Sequence, residues 1–122
     1  MKAFCRLIVL LLFLPLFCGC EKQNTSEPAL TIGITQYWLG KDQGNRIGIR
    51  FSVNTEWSVS LHYADPQDRG WLYVTPGSGR AGEHSLTVTT TAVNTGAAVR
   101  KAYIDIVYGD AQTCRITVSQ EG

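Results

Sequence analysis

Few side chains in this sequence are of a type that does chemistry, and their spacing decides what each could do. The histidines are His62 and His84. A hydrolytic relay needs a nucleophile, a base and an orienting acid within mutual reach. The nearby acids Asp65, Asp68 and Glu83 fall in turn-rich stretches without triad spacing, and neither histidine sits in a nucleophile elbow. Asp65, Asp68 and neighbouring carbonyls are the hard oxygen donors that calcium takes, but the D-x-[DN]-x-[DN]-G pattern is missing. Gly77-Ser78-Gly79-Arg80-Ala81-Gly82 spells G-x-G-x-x-G. A dinucleotide site needs that loop to open a helix whose first N–H groups meet the phosphates. Here the next periodic segment, Leu86 to Thr91, is Thr-rich and β-branched, so the six residues read as a glycine-rich turn. The expectation is a chain without enzyme chemistry, cofactor or metal.

Sugar binding asks for different residues. Flat rings must be exposed so that the C–H faces of a pyranose can stack, with polar groups beside them for the hydroxyls. Trp57 and Trp71 fall where core packing is the better reading, and Tyr108 lies on the inward side of its run. Tyr63, Tyr73 and Tyr103 remain, together with the adjacent pair Tyr37-Trp38 before the loop Gly40-Lys41-Asp42-Gln43-Gly44. Neighbouring strand residues point to opposite faces, so one ring of Tyr37 and Trp38 is expected in solvent. These two are the candidate carbohydrate-binding residues, with Gln36, Lys41 and Asp42 as polar neighbours and Trp38 the larger platform.

The elements that must position them repeat with a period of two. Leu30, Ile32 and Ile34 alternate with polar or small residues, as do Ile47, Ile49, Phe51 and Val53, then Trp57, Val59 and Leu61. Trp71–Val74 is a short β-prone run. Leu86, Val88 and Thr90 alternate next, then Ala102, Ile104, Ile106 and Tyr108, then Cys114, Ile116 and Val118. About seven strands follow, and no window reads as a helix. Gly109-Asp110 between two alternating runs predicts a hairpin over Tyr103–Val118. Strands with one apolar face each must bury it against a second sheet, so the fold class is all-β, an immunoglobulin-like sandwich of about seven antiparallel strands over residues 29–122. Its expected core is Ile32, Ile49, Phe51, Trp57, Val59, Leu86, Val88, Ile104, Ile106, Ile116 and Val118, with Cys114 as a small inward hydrophobe.

Composition and the N-terminus bear on location. The 122 residues carry 11 Lys+Arg and 10 Asp+Glu. Without Lys2 and Arg6 the remainder holds 11 − 2 = 9 cations against 10 anions, a net −1. Such balance leaves no footprint for nucleic acid. Lys2 and Arg6 form a basic n-region, and Leu7–Phe17 is an apolar stretch of signal-peptide length, too short to span a bilayer. Gly19-Cys20 at its end resembles a bacterial lipobox, in which the cysteine is acylated and opens the mature protein. That implies a signal peptide over 1–19, a lipid anchor at Cys20 into a membrane, and a polar tether over 20–28 (CEKQNTSEP). Glu21-Lys22 directly after the cysteine resembles the surface-export signal of Bacteroidetes lipoproteins. Cys5 and Cys18 leave with the signal and Cys20 takes lipid, so Cys114 has no partner for an internal disulfide.

One resemblance covers the whole body. Phe51-Ser-Val-Asn54-Thr-Glu-Trp57-Ser-Val59, then Trp71-Leu-Tyr-Val74 leading to Pro76-Gly-Ser-Gly79, then Leu86-Thr-Val88, Asn94, Arg100-Lys-Ala102-Tyr-Ile104-Asp-Ile106 and Val118-Ser-Gln120-Glu-Gly122 resembles the BACON domain. The name stands for Bacteroidetes-associated carbohydrate-binding, often N-terminal. The resemblance implies an immunoglobulin-like sandwich and a non-catalytic module of the cell envelope, outer membrane or cell surface, that binds glycan such as mucin. In the family's common pattern a catalytic domain accompanies the module, and none is read in these 122 residues. The alternative is a structural spacer or a protein-interaction and adhesion module that docks other surface proteins.

Overall fold

In a computed structural model the described residues are 27–122. Residues 1–19 and Cys20, with the signal-peptide and lipidation readings they carry, lie outside the described residues, as does the tether up to Ser26. Nine strands follow in chain order: β1 Leu30–Ile32, β2 Gln36–Leu39, β3 Arg46–Val53, β4 Trp57–Tyr63, β5 Leu72–Thr75, β6 Ser78–Gly79, β7 Gly82–Thr90, β8 Arg100–Tyr108 and β9 Gln112–Gln120. They form a four-stranded sheet, β1-β3-β7-β5, and a five-stranded sheet, β2-β9-β8-β4-β6. The described residues contain no helix, and the expected all-β sandwich is what is found.

Two strands exceed the expected seven. The alternating run from Leu30 does not continue through Thr35. It bends at Gly33, and the chain crosses from one sheet to the other, pairing β1 antiparallel with β3 and then β2 parallel with β9. This is the sole parallel pairing among the described strands, and the bend explains Ile34, which follows the parity of Leu30 and Ile32 yet is 58% exposed in the crossover. The second addition is β6, two residues of the glycine-rich segment that pair with Trp57 and Ser58. So the G-x-G-x-x-G spelling feeds a strand, β7, and offers no helix N-terminus to a phosphate.

The core follows the parity of the sequence. Ile49, Phe51, Trp57, Leu86, Val88, Ile104, Ile106, Ile116 and Val118 are buried, while Ile32 and Val59 are half-buried against them. Tyr108 and Cys114 also pack on this slab, and burial pushes the Cys114 thiol above its ordinary value. Trp71 is buried too, with its indole N–H donated to the Asp68 carbonyl at 3.1 Å. The β8–β9 hairpin pairs Tyr103 with Thr117 and Tyr108 with Gln112 around the turn at Gly109, whose φ of 63° favours glycine.

Each end of the sandwich is closed differently. At the β8–β9 turn, Pro28 packs on Gly109, and the Asn54 side chain accepts from the Ala29 N–H at 2.8 Å and donates to the Glu27 carbonyl at 2.8 Å. Glu27 and Pro28, at the end of the tether stretch, are thus already fastened to the domain. Nearby, Trp57 stands edge-on to Phe51 with centroids 5.0 Å apart and donates to the Arg80 carbonyl at 3.0 Å. The opposite end is closed by buried polar residues. Gln120 is fully buried, and its amide donates to the Lys41 and Ala92 carbonyls at 3.0 and 3.1 Å while accepting from Arg100 Nε at 2.7 Å.

Gly79 lies directly against the Trp57 indole. A Cβ there would sit 2.6 Å from ring carbon Cζ2, and the buried ring has no room to retreat. Gly79→Ala is expected to destabilise by about 1–3 kcal/mol, the usual cost of overpacking. A thermal melt then drops by several degrees, while Gly77→Ala, with nothing within 4 Å of its Cβ, leaves the melt unchanged.

Candidate carbohydrate-binding surface

The alternation that fills the core also sorts the other side chains onto two outer faces. On the five-stranded sheet the outward residues form cross-strand rows set by the register. Trp38, Ser119 and Lys101 make one row, and Gln36, Thr117, Tyr103 and His62 the next. Arg115, Asp105 and Ser60 form a third.

The adjacent candidates Tyr37 and Trp38 part company here. Both lie in β2, an edge strand, and not in the loop that follows it. Tyr37 pairs with Val118, points inward and is half-buried against the core, where desolvation raises its phenol above the ordinary value. Trp38 pairs with Ser119, points outward and is 60% exposed. The two rings therefore do not share one surface. Of the polar neighbours, Gln36 stands on the Trp38 face, whereas Lys41 and Asp42 lend their backbone carbonyls to Gln120 and Thr90.

The middle of this face is a connected polar group that sequence reading did not assemble. Asp105, 6% exposed, receives Arg115 Nε and Nη2 at 2.9 Å each. The guanidinium lies over the Tyr103 ring, 4.7 Å from its centroid. His62 Nε2 sits 3.4 Å from Asp105 Oδ2 and 3.1 Å from Ser60 Oγ. Asp65, the acid nearest to His62 in the sequence, instead accepts from the Gln67 N–H in its own turn. A usable signal existed: the Gly109 hairpin places Asp105 opposite Arg115, both at outward parity. Ser60, His62 and Asp105 have the composition of a hydrolytic triad without its geometry. Serine and carboxylate meet the same ring nitrogen, whereas a relay needs one on each.

The remaining candidates disperse. His84, in β7, has Nε2 2.6 Å from the Arg80 carbonyl and its ring 4.9 Å from the Trp57 ring. Glu83 belongs to β7 as well and not to a turn. Asp68 is ion-paired with Arg100 at 2.9 Å, so it does not join Asp65 as a free calcium ligand. Among the described residues no three of His, Cys, Asp and Glu gather as a metal site.

What this face offers is one open ring on a rigid polar sheet. Trp38 and Tyr103 are two strands and two residues apart, roughly 12 Å from spacings of about 4.8 Å between strands and 3.3 Å per residue. Arg115 already covers Tyr103, which leaves Trp38 as the ring free to stack.

The pairing with Arg115 holds the Asp105 carboxyl below the usual carboxylate range; its burial acts against this, and His62 adds a smaller attraction. A lowered pKa stabilises the fold above the unfolded value, and that stabilisation is lost as pH falls through the folded value. Asp105→Asn should therefore lower the melting temperature most near neutrality. The gap to wild type should begin to narrow only below about pH 4, where an ordinary carboxyl protonates, and close at lower pH as Asp105 itself takes up its proton.

Comparison with known proteins fits this architecture. Part of a Bacteroides ovatus GH5 xyloglucanase, solved in complex with an XXXG heptasaccharide, superposes with a TM-score of 0.63 at 19% identity, over 76% of this chain and 19% of that one. The CsuC–CsuE chaperone–tip adhesion subunit complex of Acinetobacter baumannii gives 0.58 at 10% identity, over 77% and 57%. A PapD-like domain of human CEP192 gives 0.51 at 13%, over 76% and 84%. At such identities the likeness is one of fold, and it is the PapD-like, immunoglobulin-like sandwich. No curated protein matches the chain. Residues 29–122 match the family model described as the viral BACON domain, a span that takes in all nine strands. The chain belongs to the BACON domain family.

Proposed function

We propose that this protein is a non-catalytic, lipid-anchored module of the cell envelope that binds glycan on the outer face of its five-stranded sheet. The observation that carries the reading is Trp38, an indole 60% exposed on the edge strand β2, with the exposed Gln36 on the same strand and Lys101 in the same row. The exposed part of such a ring gains nothing from folding, and it suits the apolar face of a sugar. Membership of the BACON family and the fold likeness to part of a xyloglucanase support the same class of ligand.

The anchor fits the layout. The chain enters the sandwich at the Gly109 end, while Trp38 lies in the row nearest the other end, beside Ser119 and Lys101. Acylation of Cys20 would tether the domain by its Gly109 end, the end away from the Trp38 row, and the reading puts the domain at the cell surface or outer membrane. A partner-docking reading has its own observation: β2 is a sheet edge, and the exposed Ile34 precedes it. An open edge can accept a strand from another surface protein.

Trp38→Ala should fold normally, with stability changed by no more than about 0.5 kcal/mol. On a glycan array the purified protein should bind a defined sugar class, and the variant should bind it at least about 30-fold more weakly, the loss typical of an anchoring ring. An unchanged signal would move the site away from β2. For the anchor, palmitate labelling of wild-type cells should disappear in Cys20→Ala.

A further inference from the structure

The second outer face, on the four-stranded sheet, carries a feature that the fold does not require. Gly48 stands in the middle of β3, in unbroken register with β7 from Arg46 to Val53. No bulge accounts for it, and its φ is not in the left-handed region. A Cβ added there would meet only Ser85 Oγ, at 3.6 Å, an ordinary contact. Glycine inside a strand weakens it, and apart from bulges, bends and close backbones it marks places where a ligand comes near.

The surroundings point to what approaches. The rows across this face are Thr31–Ser52–Glu83, then Arg50–Ser85, then Gly48–Thr87–Thr75, then Arg46–Thr89–Tyr73. Because β1 ends at Ile32, the first two rows open into a shallow cleft, about 630 Å³ and largely open to solvent, with Arg50 and Glu83 at its rim and Ser52 and Ser85 between them. Among the described residues, neither Arg50 nor Glu83 takes part in an ion pair or a side-chain hydrogen bond. Beyond Gly48 the face continues over threonine hydroxyls to Tyr73, whose side is 57% exposed. From Glu83 to Thr89 the track is about 20 Å at 3.3 Å per residue.

We propose that this face, from the Arg50–Glu83 cleft across Gly48 to Tyr73, is a second binding track that takes a neutral, extended glycan chain. The proposal rests on the reading that the domain binds glycan. A carboxylate accepts two hydroxyl hydrogens of a vicinal diol, and a guanidinium donates two N–H groups to sugar oxygens. Serine and threonine hydroxyls between them donate or accept as needed. One cation and one anion balance within the cleft, which favours an uncharged sugar there, and Arg46 in the Tyr73 row adds a second guanidinium to donate to sugar oxygens at the far end. Gly48 keeps the floor low where the chain must cross, and Tyr73 supplies a ring at the far end.

Cellotetraose, xylotetraose and mannotetraose, each titrated into the ¹⁵N-labelled full-length protein, test this. One of them should shift the amides of Ser52, Glu83, Ser85 and Thr87. Arg50→Ala and Glu83→Gln should each weaken that binding at least tenfold, while Gly77→Ala, with open space around its Cβ, leaves it unchanged. Gly48→Val is the sharper variant: it should melt at or above the wild-type temperature, since a β-branched residue suits a strand, and yet lose the binding. Wild-type affinity in Gly48→Val would overturn the track. Shifts confined to the Trp38 face would overturn it while leaving glycan binding standing. An absence of shifts on either face, with no array signal, would remove both.

Discussion

The environment of Gln120 organises one end of the molecule. A fully buried primary amide must find partners for its oxygen and both hydrogens, because each one left unmet costs on the order of 1–3 kcal/mol. Here the partners come from three directions: the Lys41 carbonyl, the Ala92 carbonyl and the Arg100 guanidinium. Arg100 in turn ion-pairs with Asp68 at 2.9 Å, donates to Ala92 at 3.1 Å and lies 4.7 Å from the centroid of the Trp71 ring. The last residue of β9 thereby ties the loop after β2, the loop before β5 and the loop before β8 to one another. Thr90 and Asn94 extend the arrangement, with Thr90 Oγ1 donating to the Asp42 carbonyl and Asn94 Nδ2 to that of Ala98.

With that end held by polar contacts and the other by Trp57 lying on Gly79, the slab between can be purely apolar. Among the described residues the sheets stay in place without a disulfide, and both outer faces remain free to carry side chains that do nothing for the core. This division suits a binding module. Rings and charges on rigid strands lose little freedom when they meet a ligand, so more of the contact energy appears as affinity. Trp38 on one face and the Arg50–Glu83 cleft on the other both sit on strands of this kind.

Some residues were legible in advance because strand parity is a local property. Phe51, Trp57, Leu86, Ile104 and Ile116 declare themselves by alternation, and the hairpin at Gly109 by its turn residues. Others were not. Ile34 follows the parity of Leu30 and Ile32, but the bend at Gly33 carries the chain from one sheet to the other, and parity says nothing about such a crossing. Gln120 and Thr90 also point inward by parity. Their polarity argues for the surface until the loops that supply their partners are in place.

The functional surface divides in the same way. The sequence by itself determined that the body is a two-sheet sandwich, that Trp57 and Trp71 belong to its core, and that Tyr37 and Trp38, as neighbours in an extended strand, must face opposite ways. Those are consequences of a period of two and of hydrophobic burial, both read within a few residues. Only the tertiary structure decided that Trp38 is the outward ring, because that depends on β2 pairing parallel with β9 and on which of its sides meets Val118. The same holds for Asp105 beside His62, and for Arg50, Glu83 and Gly48 on one open face. These groupings are set by register between strands distant in the chain, and burial across two sheets, which no local pattern encodes, selects that register.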